Sequence, residues 1–286
     1  MDSLKLKAYA KVNLAIDLLG RRDDGYNEVK MIMQTIDIFD EISISKIDRG
    51  IVIECDDERI PRDSSNIAYK AASIMFSRYS INGGVRINIS KNIPIEAGLG
   101  GGSSDGASVI EGINILFDLN LDLNTMLEIG KEVGADVPYC IFKNTALASG
   151  IGEKVTRISN FDGVDLVIVK PDFGVSTKEV YKEFDYSLPK VRPNFWALLL
   201  AIENKDVCDV ASNMVNVLET VTRKNNPVIG DIESDLLKMG AKGAMMSGSG
   251  PTVFALFENS KVAKAAYDKL KENKAYHCYL TRTICF

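Results

Sequence analysis

Pro94-Ile95-Glu96-Ala97-Gly98-Leu99-Gly100-Gly101-Gly102-Ser103-Ser104 is the segment on which the reading of this chain turns. A strand-like run, Val85–Ile89, leads into it, and Val109, Ile110, Ile113, Leu116 and Phe117 follow at helical spacing. The order is strand, glycine-rich loop, helix. Four glycines fall between Gly98 and Gly102, a concentration that is entropically unfavourable unless the backbone must take unusual angles or approach a ligand closely. Ser103 and Ser104 stand where the helix is expected to begin, so their hydroxyls and the free N–H groups there are expected to converge on one point. Such a point suits a polyphosphate, and the helix dipole favours it further. A flexible turn with Ser104 as an ordinary N-cap is the plainer alternative; the strand-before, helix-after context favours phosphate. The loop lacks the Lys-Ser/Thr ending of a P-loop, and its spacing and mid-domain position do not suit a dinucleotide fingerprint.

Upstream, the even positions from Leu4 to Leu18 read Leu, Leu, Ala, Ala, Val, Leu, Ile, Leu. This period of two predicts a strand or strand pair with one face on a core. Lys11 and Asn13 fall on the opposite face and are expected to point away from the core, toward a cleft. Arg21–Tyr26 reads as a turn, Ile36–Ile44 and Ile51–Cys55 as strands, and Asn66–Tyr79 as a helix. Downstream, a helix around Thr125–Val133 ends at Gly134, and Ala146–Gly152 reads as strand and turn. The polar stretch Arg157–Gly163 is the expected junction of two domains, 1–158 and 159–286. Beyond it come a strand at Asp165–Lys170, a capping box at Ser176–Glu179, helices between Asn194 and Met239, a glycine-rich turn at Gly243–Gly250, a strand at Thr252–Phe257, a helix at Val262–Leu270 and a last strand at Tyr276–Ile284.

Composition narrows the function. The 286 residues are 46% hydrophobic and 26% charged, the balance of a folded protein with a well-buried core. A net charge of −5 without a dense basic run disfavours nucleic acid as a partner. Five cysteines without a CxxC argue against a disulfide framework or a cysteine zinc site. The polar start and the absence of a long apolar run predict no membrane association and a reducing cytoplasm. His277 is the only histidine, so triad hydrolases and multi-histidine metal sites are disfavoured. His277, Trp196 and the cysteines read as structural or incidental.

Pro94–Ser104 followed by Asp105 resembles the second signature motif of the GHMP small-molecule kinases. Ala10–Leu14 with Gly20–Tyr26 resembles a first motif of that family, and Ser247-Gly248-Ser249-Gly250-Pro251-Thr252 the third. The three span nearly the whole chain in the family's order. The resemblance implies an α+β protein of two domains meeting at a cleft, with an ATP-binding N-terminal domain and a ferredoxin-like C-terminal domain; the last strand is free to cross back into the first. It implies ATP with Mg²⁺, the ion bridging the phosphates and no protein carboxylate assignable as its ligand. Asp136 would be the base that takes the proton of the acceptor hydroxyl, with Lys11 beside it to neutralise charge on the transferred phosphoryl group. Read without the motif, Asp136 is better taken as a helix N-cap and Lys11 as a solvated lysine on a strand; the matched motif reverses that preference.

The Arg21–Tyr26 segment resembles members whose substrate carries a cytidine diphosphate group. Asn13, Tyr26, Asn27 and Tyr181 then become the expected substrate-binding residues, with the two tyrosines stacking on the base. The family usually carries His after that Tyr; here Asn27 stands there, with an amide that offers both a donor and an acceptor. Another small alcohol as acceptor, such as homoserine or a sugar, is the nearest alternative. A non-catalytic nucleotide sensor and an RNA-binding module are the rivals from other classes.

Overall fold

A computed structural model describes residues 1–286. Strands β1 (Ser3–Arg21) and β2 (Asn27–Ile47) form a long antiparallel hairpin closed by the predicted turn, with Gly25 at φ +87°. Four further strands extend its sheet: β3 (Gly50–Cys55), β4 (Gly84–Ser90), β5 (Thr145–Gly150) and β6 (Lys154–Arg157). Helices α1 (Ile67–Arg78), α2 (Gly101–Leu116), α3 (Leu123–Val133) and α4 (Val137–Phe142) supply Ala71, Met75, Ile110, Ile113, Ile129 and Val137 to the core on one face of this sheet. Asn66 caps α1 by accepting from the Ala68 N–H, and Asp122 caps α3 through the Thr125 N–H.

The remaining chain builds a second sheet. β7 (Asp165–Pro171) is followed by helices α5 (Thr177–Glu183), α6 (Phe195–Glu203) and α7 (Val207–Asn213), the short strand β8 (Val215–Asn216), and helices α8 (Glu219–Asn225) and α9 (Val228–Lys238). Then come β9 (Gly243–Met246), β10 (Val253–Phe257), α10 (Ser260–Lys271) and β11 (Tyr276–Arg282). The sheet order is β11-β7-β10-β9, antiparallel throughout. Its fourth, first, third and second strands thus lie side by side, with helices after the first and third, which is the ferredoxin-like arrangement.

The expected crossing back to the first sheet is made by a different element. β11 stays in the second sheet, and β8 pairs parallel with β1 through Ala15–Val215 and Ile16–Asn216. Beyond β11, Thr283 bridges Ile36, and the Ile284 N–H donates to the Thr35 carbonyl.

β1 departs from the single buried face that its alternation predicts. Ala8, Ile16 and Leu18 join the helix-covered core, whereas Ala10, Val12 and Leu14 pack with Leu166, Ile168 and Phe254 of the second sheet. Register shifts between Tyr9 and Lys11 and between Asn13 and Ala15 swap the faces. Between these bulges Lys11 and Asn13 turn inward. Lys11 is 4% exposed and Asn13 1%, so the expectation that they point away from a core is corrected: both sheet faces are covered here.

Candidate active site

The glycine loop runs from Ile93 to the start of α2. Ala97 and Leu99 are buried between the sheets and pin it from within. Gly98 and Gly100 take φ +71° and +72°, where a side chain is strained. A Cβ on Gly98 would lie 2.1 Å from the Ser247 carbonyl oxygen, and one on Gly100 3.1 Å from the Lys11 stem. The loop therefore uses these glycines for close approach as well as for rotation.

Gly100 is the N-cap of α2. The Ser104 N–H is the first to reach a helical acceptor, the Gly100 carbonyl at 2.9 Å; those of Gly101, Gly102 and Ser103 precede the ladder and are the orphan donors of the first turn. Ser104 departs from expectation. Its buried hydroxyl donates to the Tyr9 carbonyl at 2.7 Å, tying the helix to β1. It neither caps the helix nor converges with Ser103, because it lies a full turn inside α2.

Lys11 lies against this loop. Its Nζ donates to Asn13 Oδ1 at 2.6 Å and to the Gly98 carbonyl at 3.1 Å, and stands 3.7 Å from Asp136 Oδ2. Its own N–H donates to the Leu99 carbonyl. Asp136 occupies the N-cap position of α4 yet makes no capping hydrogen bond, and its side chain keeps 32% of its surface exposed. Its carboxylate thus faces the buried Lys11 ammonium and remains partly open to solvent. Asn13 differs from the expected substrate contact. It is buried, with Oδ1 on Lys11 and Nδ2 toward Met31 Sδ, so it fixes the lysine head.

The third motif closes on the same carbonyl. Ser247 Oγ donates to Gly98 O at 3.0 Å, Gly248 takes φ +59° against Gly98, and the Gly250–Pro251 bond is cis. Asn216, unremarkable in sequence, secures this turn from below: its Nδ2 donates to the carbonyls of Met246 and Gly248, each at 2.8 Å. Thr177, at the start of α5, hydrogen-bonds Ser249 at 2.8 Å.

A buried charge cluster braces the loop from behind. Lys91 Nζ lies 2.5 Å from Asp40 Oδ2 and 2.8 Å from Asp105 Oδ2, while Asp40 Oδ1 accepts from the N–H groups of Asn92 and Ile93. Burial, opposed by Lys91 and reinforced by Asp40, pushes the Asp105 carboxyl up to about 7. Sequence spacing pointed to Asp105 only as part of the motif and gave no sign of Asp40 or Lys91.

The expected base-binding residues are dispersed. Tyr26 is 60% exposed in the hairpin turn. Asn27, at the start of β2, accepts from the Tyr186 hydroxyl at 2.5 Å. Tyr181 is half-buried against the core, and burial, followed by the charge of Asp136, raises its hydroxyl pKa. Tyr181 packs against the helix-covered core, whereas Tyr26 and Asn27 lie at the far end of the hairpin.

No group of three or more His, Cys, Asp or Glu side chains converges to hold a metal. Around the loop the carboxylate Asp105 is bound to Lys91 and the Ser104 hydroxyl to Tyr9. These donors do not fit a protein-ligated magnesium ion, and no step is assigned to one. No helix is long and apolar enough to cross a membrane.

Comparison with known proteins agrees with this geometry. The model of the GHMP kinase N-terminal domain matches residues 66–144, and that of the GHMP kinase C-terminal region matches 198–275. A protein of Acetivibrio thermocellus named 4-diphosphocytidyl-2-C-methyl-D-erythritol kinase is 53% identical over 284 residues, covering 99% of this chain and 100% of that one. One of the same name from Clostridium botulinum is 49% identical over 97% of this chain and 99% of its own. A crystal structure of 4-(cytidine 5'-diphospho)-2C-methyl-D-erythritol kinase superposes with a TM-score of 0.85 at 28% identity, over 99% of this chain and 100% of the other. Homoserine kinase from Cytophaga hutchinsonii shares the fold at a TM-score of 0.79 and 21% identity, over 99% and 95% of the two chains. With its glycine loop, buried lysine and facing aspartate built on this two-sheet frame, the chain belongs to the GHMP kinases.

Proposed function

We propose that the chain transfers the γ-phosphoryl group of ATP to the 2-hydroxyl of 4-diphosphocytidyl-2-C-methyl-D-erythritol, a step of the non-mevalonate route to isoprenoid precursors. The observation that carries this reading is the Lys11–Asp136 pair, 3.7 Å apart, against the glycine loop. Asp136 accepts the proton of the acceptor hydroxyl as its oxygen attacks the γ-phosphorus. The bond from that phosphorus to the β,γ-bridging oxygen breaks and ADP departs. Lys11, held by Asn13 and Gly98, faces the charge on the transferred group. Such transfer needs chiefly positioning and charge stabilisation.

ATP is held by Pro94–Ser103, where the N–H groups of Gly101, Gly102 and Ser103 face the phosphates. Mg²⁺ arrives with the nucleotide as part of the co-substrate. Residues 1–158 carry this nucleotide site, and residues 159–286 cover it through Ser247 and Thr177. Tyr26 offers an exposed ring for the cytosine, Asn27 its amide edge, and Tyr181 a second ring. The five free thiols suit a reducing cytoplasm.

The test is transfer from ATP and Mg²⁺ to that substrate by the native protein and by Asp136→Asn. Loss of a general base lowers the rate by about 10²–10⁴-fold with thermal stability and ATP affinity retained. A native protein that binds ATP and leaves the substrate untouched refutes the choice of acceptor; full activity in the variant refutes the base.

A further inference from the structure

We propose that Tyr186 is a specificity-determining residue, fixing the orientation of the Asn27 amide so that its Nδ2 donors face the nucleobase and select cytosine over uracil. The inference rests on the cytidine-bearing substrate proposed above.

Asn27, Val29 and Met31 alternate along β2, and Val29 and Met31 share the helix-covered core. Met31 borders the reacting centre: a Cβ on Gly152 would lie 3.3 Å from its Cε and 3.8 Å from Asp136 Oδ1. Four residues of strand put Asn27 about 13 Å away, a separation that a ribosyl diphosphate bridges between base and acceptor alcohol.

Tyr186 reaches Asn27 across 159 positions of sequence, and its hydroxyl donates to Oδ1 at 2.5 Å. Two contacts hold it there. Its ring lies edge-on to Phe184 with centroids 5.1 Å apart. Its carbonyl accepts from Arg192 Nη2 at 3.0 Å. Arg192 is in turn fastened to β1 by Asp17 Oδ1 at 2.6 Å and the Leu18 carbonyl at 3.0 Å. Burial raises the phenol above its ordinary range against the opposing charges of Arg21 and Arg192, so it remains a protonated donor at neutral pH.

The Tyr186 hydroxyl takes one of the two lone pairs of Asn27 Oδ1 and sets the orientation of the amide, which turns the Nδ2 hydrogens to the opposite side. Cytosine presents two adjacent acceptors, O2 and N3, to such a donor. Uracil has an N–H at position 3, which the Nδ2 donors held in that orientation oppose. A freely turning amide would present Oδ1 to that N–H and accept uracil equally well. Tyr186 acts through Asn27, and its removal relaxes the choice of base.

The experiment compares kcat/KM for the cytidine and uridine forms of the diphosphate substrate in the native protein, Tyr186→Phe, Asn27→Ala and the double variant. Native protein favours the cytidine form. In Tyr186→Phe that preference falls about tenfold, the worth of one hydrogen bond, with the change carried mainly by a lower KM of the uridine form. In the Asn27→Ala background, adding Tyr186→Phe leaves the ratio unmoved. A Tyr186→Phe enzyme that keeps the native ratio overturns the proposal, as does one that shifts it equally without Asn27. Native protein that phosphorylates neither compound overturns the substrate reading beneath it, and the proposal falls with it.

Discussion

Replacing Gly98 with alanine tests the junction of all three motifs, and Gly100→Ala is its internal control. Both residues sit near φ +70°, so each substitution carries a left-handed penalty of about 1–2 kcal/mol. The surroundings differ. At Gly98 the new methyl lies 2.1 Å from the Ser247 carbonyl oxygen and 3.2 Å from the Gly250 nitrogen, both backbone atoms of a turn that Asn216 holds rigid. The turn must separate from the loop, which breaks the Ser247 Oγ hydrogen bond to Gly98 O and disturbs that from Lys11 Nζ. A neutral hydrogen bond is worth about 1 kcal/mol and a charged one about 2, so the loss totals roughly 4–5 kcal/mol. At about 2–4 °C per kcal/mol for a chain of this order, Tm falls by roughly 8–20 °C. At Gly100 the methyl meets only the Lys11 stem at 3.1 Å, a flexible chain that yields by a few tenths of an ångström. Tm then falls by less than half as much, while displacement of the lysine head lowers kcat about tenfold or more. Calorimetry and steady-state kinetics on both variants decide. A Gly98→Ala protein within 3 °C of native, or a Gly100→Ala protein less stable than Gly98→Ala, refutes the reasoning.

Ser104→Ala loses the Tyr9 hydrogen bond and about 1 kcal/mol of stability, but its KM for ATP stays within about twofold of native; a large rise in that KM would return its hydroxyl to the phosphate site. Burial, then the neighbouring Glu233 charge, pushes the Glu219 carboxyl up to about 8 from an ordinary 4.5. Its contribution is therefore fully present below about pH 4.5 and is lost as pH rises toward 8, so Tm of the native protein declines over that window. Glu219→Gln keeps the acceptor for the Met246 N–H and should flatten the decline, as melting curves between pH 5 and 9 would show.

Much of this architecture could be read before any coordinate. Local rules placed many of the helices: the one expected over Asn66–Tyr79 forms, Ser176 caps α5 as its capping box predicts, and the strand, loop and helix around Gly98–Gly102 stand in the expected order. What escaped was set by pairing between distant strands. The alternation from Leu4 to Leu18 is intact in sequence, yet two bulges split it between two cores. A bulge depends on the partner strand's register, which periodicity in one strand does not encode. The same limit hid the bracing residues. Asp40, Lys91, Asn216 and Tyr186 are each ordinary in their local context and become informative only when the fold brings them to Asp105, the 246–248 turn and Asn27.

The convergence at Gly98 explains why three short motifs so far apart belong to one device. Its carbonyl accepts from Lys11 Nζ of the first motif and from Ser247 Oγ of the third. A single backbone oxygen thus joins the proposed catalytic lysine, the glycine loop and the second sheet. Both donors need that oxygen turned toward them, which asks for the left-handed angles that glycine tolerates, and the Ser247 turn comes so close that a Cβ on Gly98 would block it. The glycine cluster therefore has two roles. Gly101 and Gly102 open the helix terminus with its orphan donors, while Gly98 and Gly100 let the rest of the site close on the loop. A substitution in the first pair should change nucleotide affinity, and one in the second should uncouple the two sheets or displace the lysine.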